Sequence, residues 1–320
     1  MKYFNFKMRI YTDFTRPKKY TFKGYIYLKM ILYHNCPICN SSDLEGYAID
    51  VKRMGPHISR VICQNCKIIF ANPMADEDEL LEFYRFYYDQ GNFKLLEYKK
   101  NLSHLMKSKP KEYNIQNGNF IYQHVSTGNI LDIGAGIGST LHLVDSPEFN
   151  LYATEFDQDA IDFINIEFKN KVNTFKGDLV KAAYPSDFFD YIIFNHVIEH
   201  TIDPDAYLKE IFRILKKGGI LYIGTPDINA NIYKVYRFLM YTSGRIPDIV
   251  DGIEHTFLFS KSTLINIVTK NGFKVVKHRN VGLNGSLLNL LKLKLGFKKM
   301  IARIIQTIIP VNQELICQKP

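Results

Sequence analysis

Four cysteines fall in two tight pairs, Cys36-Pro-Ile-Cys39 and Cys63-Gln-Asn-Cys66, with 23 residues between the pairs. Each pair can turn two thiolates toward one tetrahedral ion, and four sulfurs form the closed ligand set that Zn²⁺ takes in structural sites. The first thirty residues alternate aromatics with Lys and Arg and lack the apolar stretch of a secretory signal, so metal ligation is favoured over disulfides. With no open coordination position, such a zinc is expected to support folding rather than chemistry. The fifth cysteine, Cys317, lies in an alternating apolar segment and reads as a buried thiol.

A second group of residues suits a nucleoside ligand. Gly134-Ala135-Gly136-Ile137-Gly138 follows the short apolar run Asn129-Ile130-Leu131-Asp132-Ile133. Gly134 lets the chain turn off its strand, while Gly136 and Gly138 let a ligand lie on bare backbone. The spacing is G-x-G-x-G, with Ser139 where a dinucleotide fingerprint needs its third glycine, so the loop alone leaves NAD and S-adenosylmethionine both open. Glu155 closes a second apolar run, where a carboxylate can accept two hydrogen bonds from ribose hydroxyls. Asp178, in Gly177-Asp178-Leu179, can accept from an adenine amino group.

The strings LDIGAGIG, TEFD, GDL, FDYIIFNHVIEH and ILKKGGILYIGTPD, in that order within about residues 129–278, resemble class I S-adenosylmethionine-dependent methyltransferases. The resemblance is nearest to the branch of ubiquinone-pathway O-methyltransferases and deoxysugar methyltransferases. CPIC…CQNCKIIFANP, with the acid-capped, Tyr-rich stretch after it, resembles the zinc-ribbon front end of bacterial methyltransferases acting on sugars and polysaccharide precursors. The resemblance implies that Asp132, Gly134, Gly136 and Gly138 line the methionine moiety and that Glu155 holds the ribose. Asp178 and Leu179 would lie by the adenine and Asn195 beside the sulfonium; Ala135 and Phe156 belong to the same cofactor-binding set. The implied cofactors are S-adenosyl-L-methionine and a structural zinc ion.

Methyl transfer from a sulfonium is an in-line displacement, so the protein must align the acceptor and, for a hydroxyl, take its proton. Histidine titrates nearest neutrality. His196 and His200 follow the fourth strand, and Glu254-His255 precedes an aromatic-Ser element that resembles the proton-abstracting Glu-His of sugar C-methyltransferases. His255, supported by Glu254, is the first choice of base; His200 is the second, with Glu199-His200 as a plain loop anchor its alternative. Tyr87 and Tyr88 suit either an acceptor pocket or aromatic packing.

These residues need a scaffold that brings strand ends together. Strand-like runs at 129–133, 151–155, 172–175, 191–194, 220–225, 273–277 and 313–318 alternate with helical patterns. One helix is marked by Asp203 as N-cap and Pro204 at its first position, with Gly218-Gly219 as the stop; another spans 262–270. A helix is also expected directly after the glycine loop, and Asp76 with Glu79 forms a capping box before the Tyr-rich stretch. The expected fold is α/β: a Rossmann-like, seven-stranded, mostly parallel sheet, with a small N-terminal zinc-ribbon module and a helical linker. The divisions are a basic extension at 1–33, a zinc ribbon at 34–75, a helical linker or lid at 76–120 and the methyltransferase domain at 121–320.

The net charge of +9 is unevenly spread: +7 over residues 1–33, −8 over 34–254 and +10 over 255–313. The acidic middle argues against RNA as acceptor, and the fourth strand ends in Asn195-His196 rather than the Pro-Pro-aromatic pattern of base-amine methylation. A non-catalytic zinc-ribbon interaction protein is opposed by the intact glycine loop with Glu155, and a nicotinamide oxidoreductase is weaker still. The reading is therefore a small-molecule methyltransferase, O- or C-directed, with a sugar or polysaccharide precursor such as a nucleotide- or lipid-linked sugar as acceptor. Residues 287–309 interleave Leu and Ile with Lys and Arg, which suits either packing on the domain or peripheral contact with an anionic membrane. The expected location is the cytoplasm, with contact at the inner face of the membrane.

Overall fold

A computed structural model describes residues 20–22, 25–27, 30–50, 58–81, 123–230, 255–282 and 310–320. Tyr87, Tyr88, Glu254 and residues 287–309 lie outside the described residues.

The apolar runs build one seven-stranded sheet from β8 (Gly128–Ile133), β9 (Phe149–Glu155), β10 (Val172–Lys176), β11 (Phe189–Asn195), β12 (Leu215–Pro226), β14 (Lys274–Gly282) and β15 (Pro310–Gln318). Across the sheet the order is β10-β9-β8-β11-β12-β15-β14. All pairings are parallel except the two made by β15, which runs antiparallel to both β12 and β14. The chain reverses its order between β8 and β11, and ligands of such sheets sit off the carboxyl ends of the strands at that point. Both sheet faces are covered: along β11, Phe189, Ile192 and Phe194 enter one buried cluster while Tyr191 and Ile193 enter the other. That explains why this run reads as continuously apolar.

Three helices follow strands or loops with the caps their sequences specify. In α1 (Gln158–Glu167) the Asp157 side chain accepts from Asp159 N–H. In α2 (Pro204–Ile214) Asp203 accepts from Ala206 N–H and Pro204 stands at the first turn. In α3 (Lys261–Lys270) Ser260 and Thr263 form a reciprocal capping box.

Two local expectations are corrected. The glycine loop leads not into a helix but into turns and a single 3₁₀ turn at Leu141–Leu143, whose preceding Thr140 makes no side-chain cap. Only ten residues separate Gly138 from β9 and one of them is Pro147, leaving little room for an α-helix. Gly218-Gly219 does not divide helix from strand either. β12 starts at Leu215, directly after α2, and the glycines lie in a register shift between the Phe189–Leu215 and Tyr191–Ile220 pairs. There Gly218 N–H donates to Lys319 O, and Lys319 N–H donates to Gly219 O.

The N-terminal part forms small antiparallel sheets. β1 (Tyr20–Phe22) pairs with β2 (Tyr25–Tyr27), and β3 (Met30–Ile31) pairs with β7 (Met74–Ala75). A four-stranded sheet joins β4 (Leu44–Asp50), β5 (Ile58–Cys63), β6 (Ile69–Ala71) and β13 (Phe257–Leu258) in the order β13-β6-β5-β4. Its outer strand β13 comes from the segment between β12 and α3, so two regions far apart in sequence share one sheet. Their cores are continuous as well: Cys36, Cys63 and Phe70 cluster with Phe194, Phe257 and Leu131. Asp76 accepts from Glu79 N–H at 2.9 Å and opens the helical turn that begins at Glu77. Among the described residues no helix is long and apolar enough to cross a membrane.

Candidate active site

The four cysteines converge as their spacing predicts. Cys36 Sγ lies 3.6 Å from Cys66 Sγ and Cys39 Sγ lies 3.5 Å from Cys63 Sγ. All four sulfurs fall within 4.8 Å of one another. Sulfurs bound to one zinc at ~2.3 Å in a tetrahedron stand a little under ~4 Å apart, so the set fits. Each knuckle closes on a residue of positive φ, Asn40 at 59° and Lys67 at 62°. Asn40 N–H bonds to Cys36 O and Lys67 N–H to Cys63 O, the same turn made twice. The hydrogen bond from the Cys66 thiol draws Cys36 down, and the same bond, with burial, raises Cys66, as two thiols that share one proton. The cluster is consistent with a zinc site.

At the switch point, Gly134, Gly136 and Gly138 all take positive φ, at 63°, 53° and 79°. A side chain at Gly134 would meet Val197 Cγ2 at 2.7 Å, whereas one at Gly136 would meet nothing within 4 Å. Gly134 therefore answers to packing, and Gly136 to open space above the loop. Ala135 is anchored below by its N–H to Thr154 O at 3.1 Å. Beside the loop, Asp132 is buried and its Oδ2 has no hydrogen-bond partner. Burial, then the charge of Glu155, raises its carboxyl to about 8. A buried acid without a partner under a bare glycine loop is a place where a ligand ammonium would fit.

Glu155, at the end of β9, accepts from Gly136 N–H at 2.7 Å through Oε2 and from Phe156 and Asp157 N–H through Oε1. These bonds lower its pKa, but burial outweighs them and raises it overall. One lone-pair position on Oε2 remains for a ribose hydroxyl. Phe156 is exposed beside it, as a ring that can cover a nucleoside. Asp178 already has two protein partners: Val180 N–H at 2.7 Å and the Tyr207 hydroxyl. Leu179 is buried, and Asn195 stands at the end of β11 with its Oδ1 pressed against Gly224.

After β11 lies a buried carboxylate among three imidazoles. Glu199 bonds Thr225 Oγ1 at 2.9 Å through Oε2 and His196 Nδ1 at 3.3 Å through Oε1. His200 and His255 meet edge to face, with ring centroids 4.7 Å apart. Glu199, His200 and His255 each bring a ligand atom within 4.8 Å of the others, close enough to share a proton or to take a cation. Although burial opposes ionisation, the His196 hydrogen bond and the charge of His200 hold Glu199 at about 2. Burial lowers His196 but the Glu199 carboxylate raises it by more. Burial, then the neighbouring His200, lowers His255 to about 3, and its Nδ1 is buried without a hydrogen-bond partner. His255 is thus neutral at physiological pH with an open ring nitrogen.

A methyltransferase-domain family matches residues 96–278, more than half of the 320 residues. The chain belongs to that family. Its sheet order, glycine loop and acid at the end of the second strand are those of a class I S-adenosylmethionine-dependent methyltransferase domain. A Mycolicibacterium smegmatis protein named "Probable S-adenosylmethionine-dependent methyltransferase" is 24% identical over 99 residues, 31% of this chain and 38% of the relative. The ubiquinone biosynthesis O-methyltransferase of Pelagibacter ubique is 32% identical over 165 residues, 48% of this chain and 65% of the relative. The chloroplastic 2-methyl-6-phytyl-1,4-hydroquinone methyltransferase 1 of Oryza sativa is 34% identical over 101 residues, 30% of each chain. The chain spans between 30% and 65% of these relatives' lengths.

The sequence singled out the glycine loop, the four cysteines, His200 and His255; the structure brings the cysteines together and sets His200 and His255 side by side. Sequence reasoning missed Arg60, Thr225, Tyr207 and Thr256, and gave Glu199 only an anchoring role. The spacing of His196, Glu199 and His200 within one turn was the available signal for a proton-handling group.

Proposed function

We propose that this protein transfers a methyl group from S-adenosylmethionine to a hydroxyl or carbon of a small-molecule acceptor, a sugar or polysaccharide precursor. The observation that carries the reading is the neutral His255, whose Nδ1 has no hydrogen-bond partner among the described residues, beside Glu199 and His200. S-adenosylmethionine supplies the methyl carbon as an electrophile. Asp132 and Glu155 orient it, Asn195 borders the reacting end, and His255 Nδ1 receives the acceptor proton. The test is label transfer from methyl-labelled S-adenosylmethionine into a panel of nucleotide sugars and lipid-linked sugars, with phenolic acceptors and RNA alongside. Label in a sugar supports the reading; label only in the phenols or in RNA overturns its acceptor.

Asp132 gives this reading a pH signature. Its raised pKa keeps it protonated in the free protein below about 8, while a bound ammonium favours the carboxylate. S-adenosylhomocysteine binding at pH 6.5 should therefore release a proton, and affinity should climb with pH until about 8 and then level off. Calorimetry in phosphate and in Tris measures this directly; equal heats in the two buffers would contradict it.

We also propose that the cysteine cluster holds zinc and that residues 34–75 act as a zinc ribbon, 76–120 as a linker or lid, and 121–320 as the catalytic domain. Purified protein should carry about one zinc per chain, and Cys39→Ser should destabilise the N-terminal module more than the large sheet. Metal analysis finding no zinc in protein purified without chelator would refute this.

A further inference from the structure

The geometry points to Arg60, on the four-cysteine module, as a positioning residue for the acceptor-side histidine. It assigns that module a working role as the mount of the loop that carries His255. The inference rests on reading His255 as part of the acceptor site, and it deepens that reading by naming what holds the residue in place.

Three contacts join module and loop at successive residues. At His255, the Arg60 guanidinium donates through Nη1 to the backbone carbonyl. Arg60 is only 2% exposed, so the guanidinium that bonds this carbonyl is buried away from solvent. A buried guanidinium needs acceptors for its fixed fork of donors, which ties its place to theirs. At Thr256, the carbonyl accepts from Ala71 N–H at 2.9 Å, and the hydroxyl lies 2.9 Å from Glu199 O and 2.5 Å from Thr201 O. At Phe257 and Leu258, β13 pairs antiparallel with β6, in register with Phe70 and Ile69. The Phe70 and Phe257 rings lie 6.1 Å apart.

The same short segment is thus gripped from both sides: by the cysteine module through Arg60, Ala71 and β6, and by the histidine turn after β11 through Thr256. β13 is two residues long and cannot hold itself in place. Its position is borrowed from a strand whose sheet starts at the cysteine knuckles, since β5 ends on Cys63. His255 is the first residue of this segment, its carbonyl held by Arg60. A shift of the module is expected to move the imidazole relative to Glu199 and His200, while the glycine loop keeps its own anchors, Ala135 N–H on Thr154 O and Gly136 N–H on Glu155.

The test needs no acceptor. His255 is followed by its imidazole carbon–proton NMR signal, assigned by its loss in His255→Gln, and the backbone at 255–258 by amide hydrogen exchange. Arg60→Met should move or broaden the His255 signal and speed exchange at 255–258 by about tenfold or more. S-adenosylhomocysteine affinity should stay within about twofold of wild type, because the cofactor loop is not mounted on the module. Arg60→Lys keeps the charge and most of the stem but lacks the fork, and should give a smaller change in the same direction. If Arg60→Met does not fold, Arg60→Lys alone decides. An unchanged His255 signal and unchanged exchange at 255–258 in a folded Arg60 variant would overturn the proposal. So would an equal loss of cofactor affinity, which would mean that Arg60 supports the whole domain rather than this loop. Neither result depends on His255 being the base, so the acceptor chemistry is judged separately by labelling.

Discussion

Gly136→Val is expected to abolish binding of S-adenosylhomocysteine while leaving the protein folded. At φ 53° the position suits glycine, and a branched side chain there costs on the order of 1–3 kcal/mol of strain. That cost lowers stability without destroying the domain, because among the described residues a Cβ at Gly136 meets no atom within 4 Å. The space it enters lies beside Asp132 and Glu155, whose carboxylate bonds the Gly136 N–H at 2.7 Å. A valine there displaces the ligand from that surface and loosens the Glu155 contact as well. In wild type, ligand at about 100 times its Kd should add about 2.7 kcal/mol to stability, read as a higher melting temperature. In Gly136→Val the shift should vanish, with affinity down at least about 100-fold by calorimetry. The comparison with Gly134 matters: a side chain there strikes Val197 at 2.7 Å, so a loss of folding rather than of binding is its expected outcome. Binding of NADH in place of S-adenosylhomocysteine would dismantle the cofactor assignment.

What was legible in the sequence divides along physical lines. β11 was readable because a strand buried on both faces is apolar through its middle, here Tyr191 to Phe194, and that composition needs no knowledge of neighbours. The Cys36–Cys39 and Cys63–Cys66 pairs were readable because tetrahedral ligation restricts spacing. Asp203-Pro204 and Ser260 were readable because a cap is a local hydrogen bond. The pairing of β13 with β6 was not legible. Phe257 and Ile69 are nearly 190 positions apart, and two-residue strands carry no periodicity to detect. Arg60 was hidden for the same reason: in sequence it is one more cation in a strand, and only the fold shows that it reaches a carbonyl beside the active site. The missing helix after the glycine loop shows a different limit. Glycine loops of this kind often lead into helices, but the ten residues before β9 were spent on turns.

His255→Ala is expected to lower kcat by roughly 10²–10⁴-fold, with cofactor affinity nearly unchanged. Burial and His200 hold the imidazole at about 3, which looks too weak for a base facing an alcohol. For a hydroxyl acceptor, the order of events in methyl transfer removes the difficulty. As the acceptor oxygen bonds to the methyl carbon and the carbon–sulfur bond breaks, the oxygen becomes an oxonium, far more acidic than any imidazolium. A base that stays unprotonated and unpartnered until that moment is sufficient, and the ionised Glu199 beside the cluster stabilises the imidazolium that forms. This fixes the sign of the pH dependence. Because the His255 pKa is lowered, the residue is ready to accept a proton throughout the neutral range and is lost as a base only as pH falls toward about 3. The kcat/KM profile should therefore show no acid limb from His255 between about pH 5 and 7, unlike a site relying on a histidine near its ordinary ~6.5. His200→Ala is the paired measurement, made with whichever acceptor takes label. If His200→Ala abolishes turnover while His255→Ala stays near wild type, the proton goes to His200, and the low pKa of His255 marks a packing residue instead.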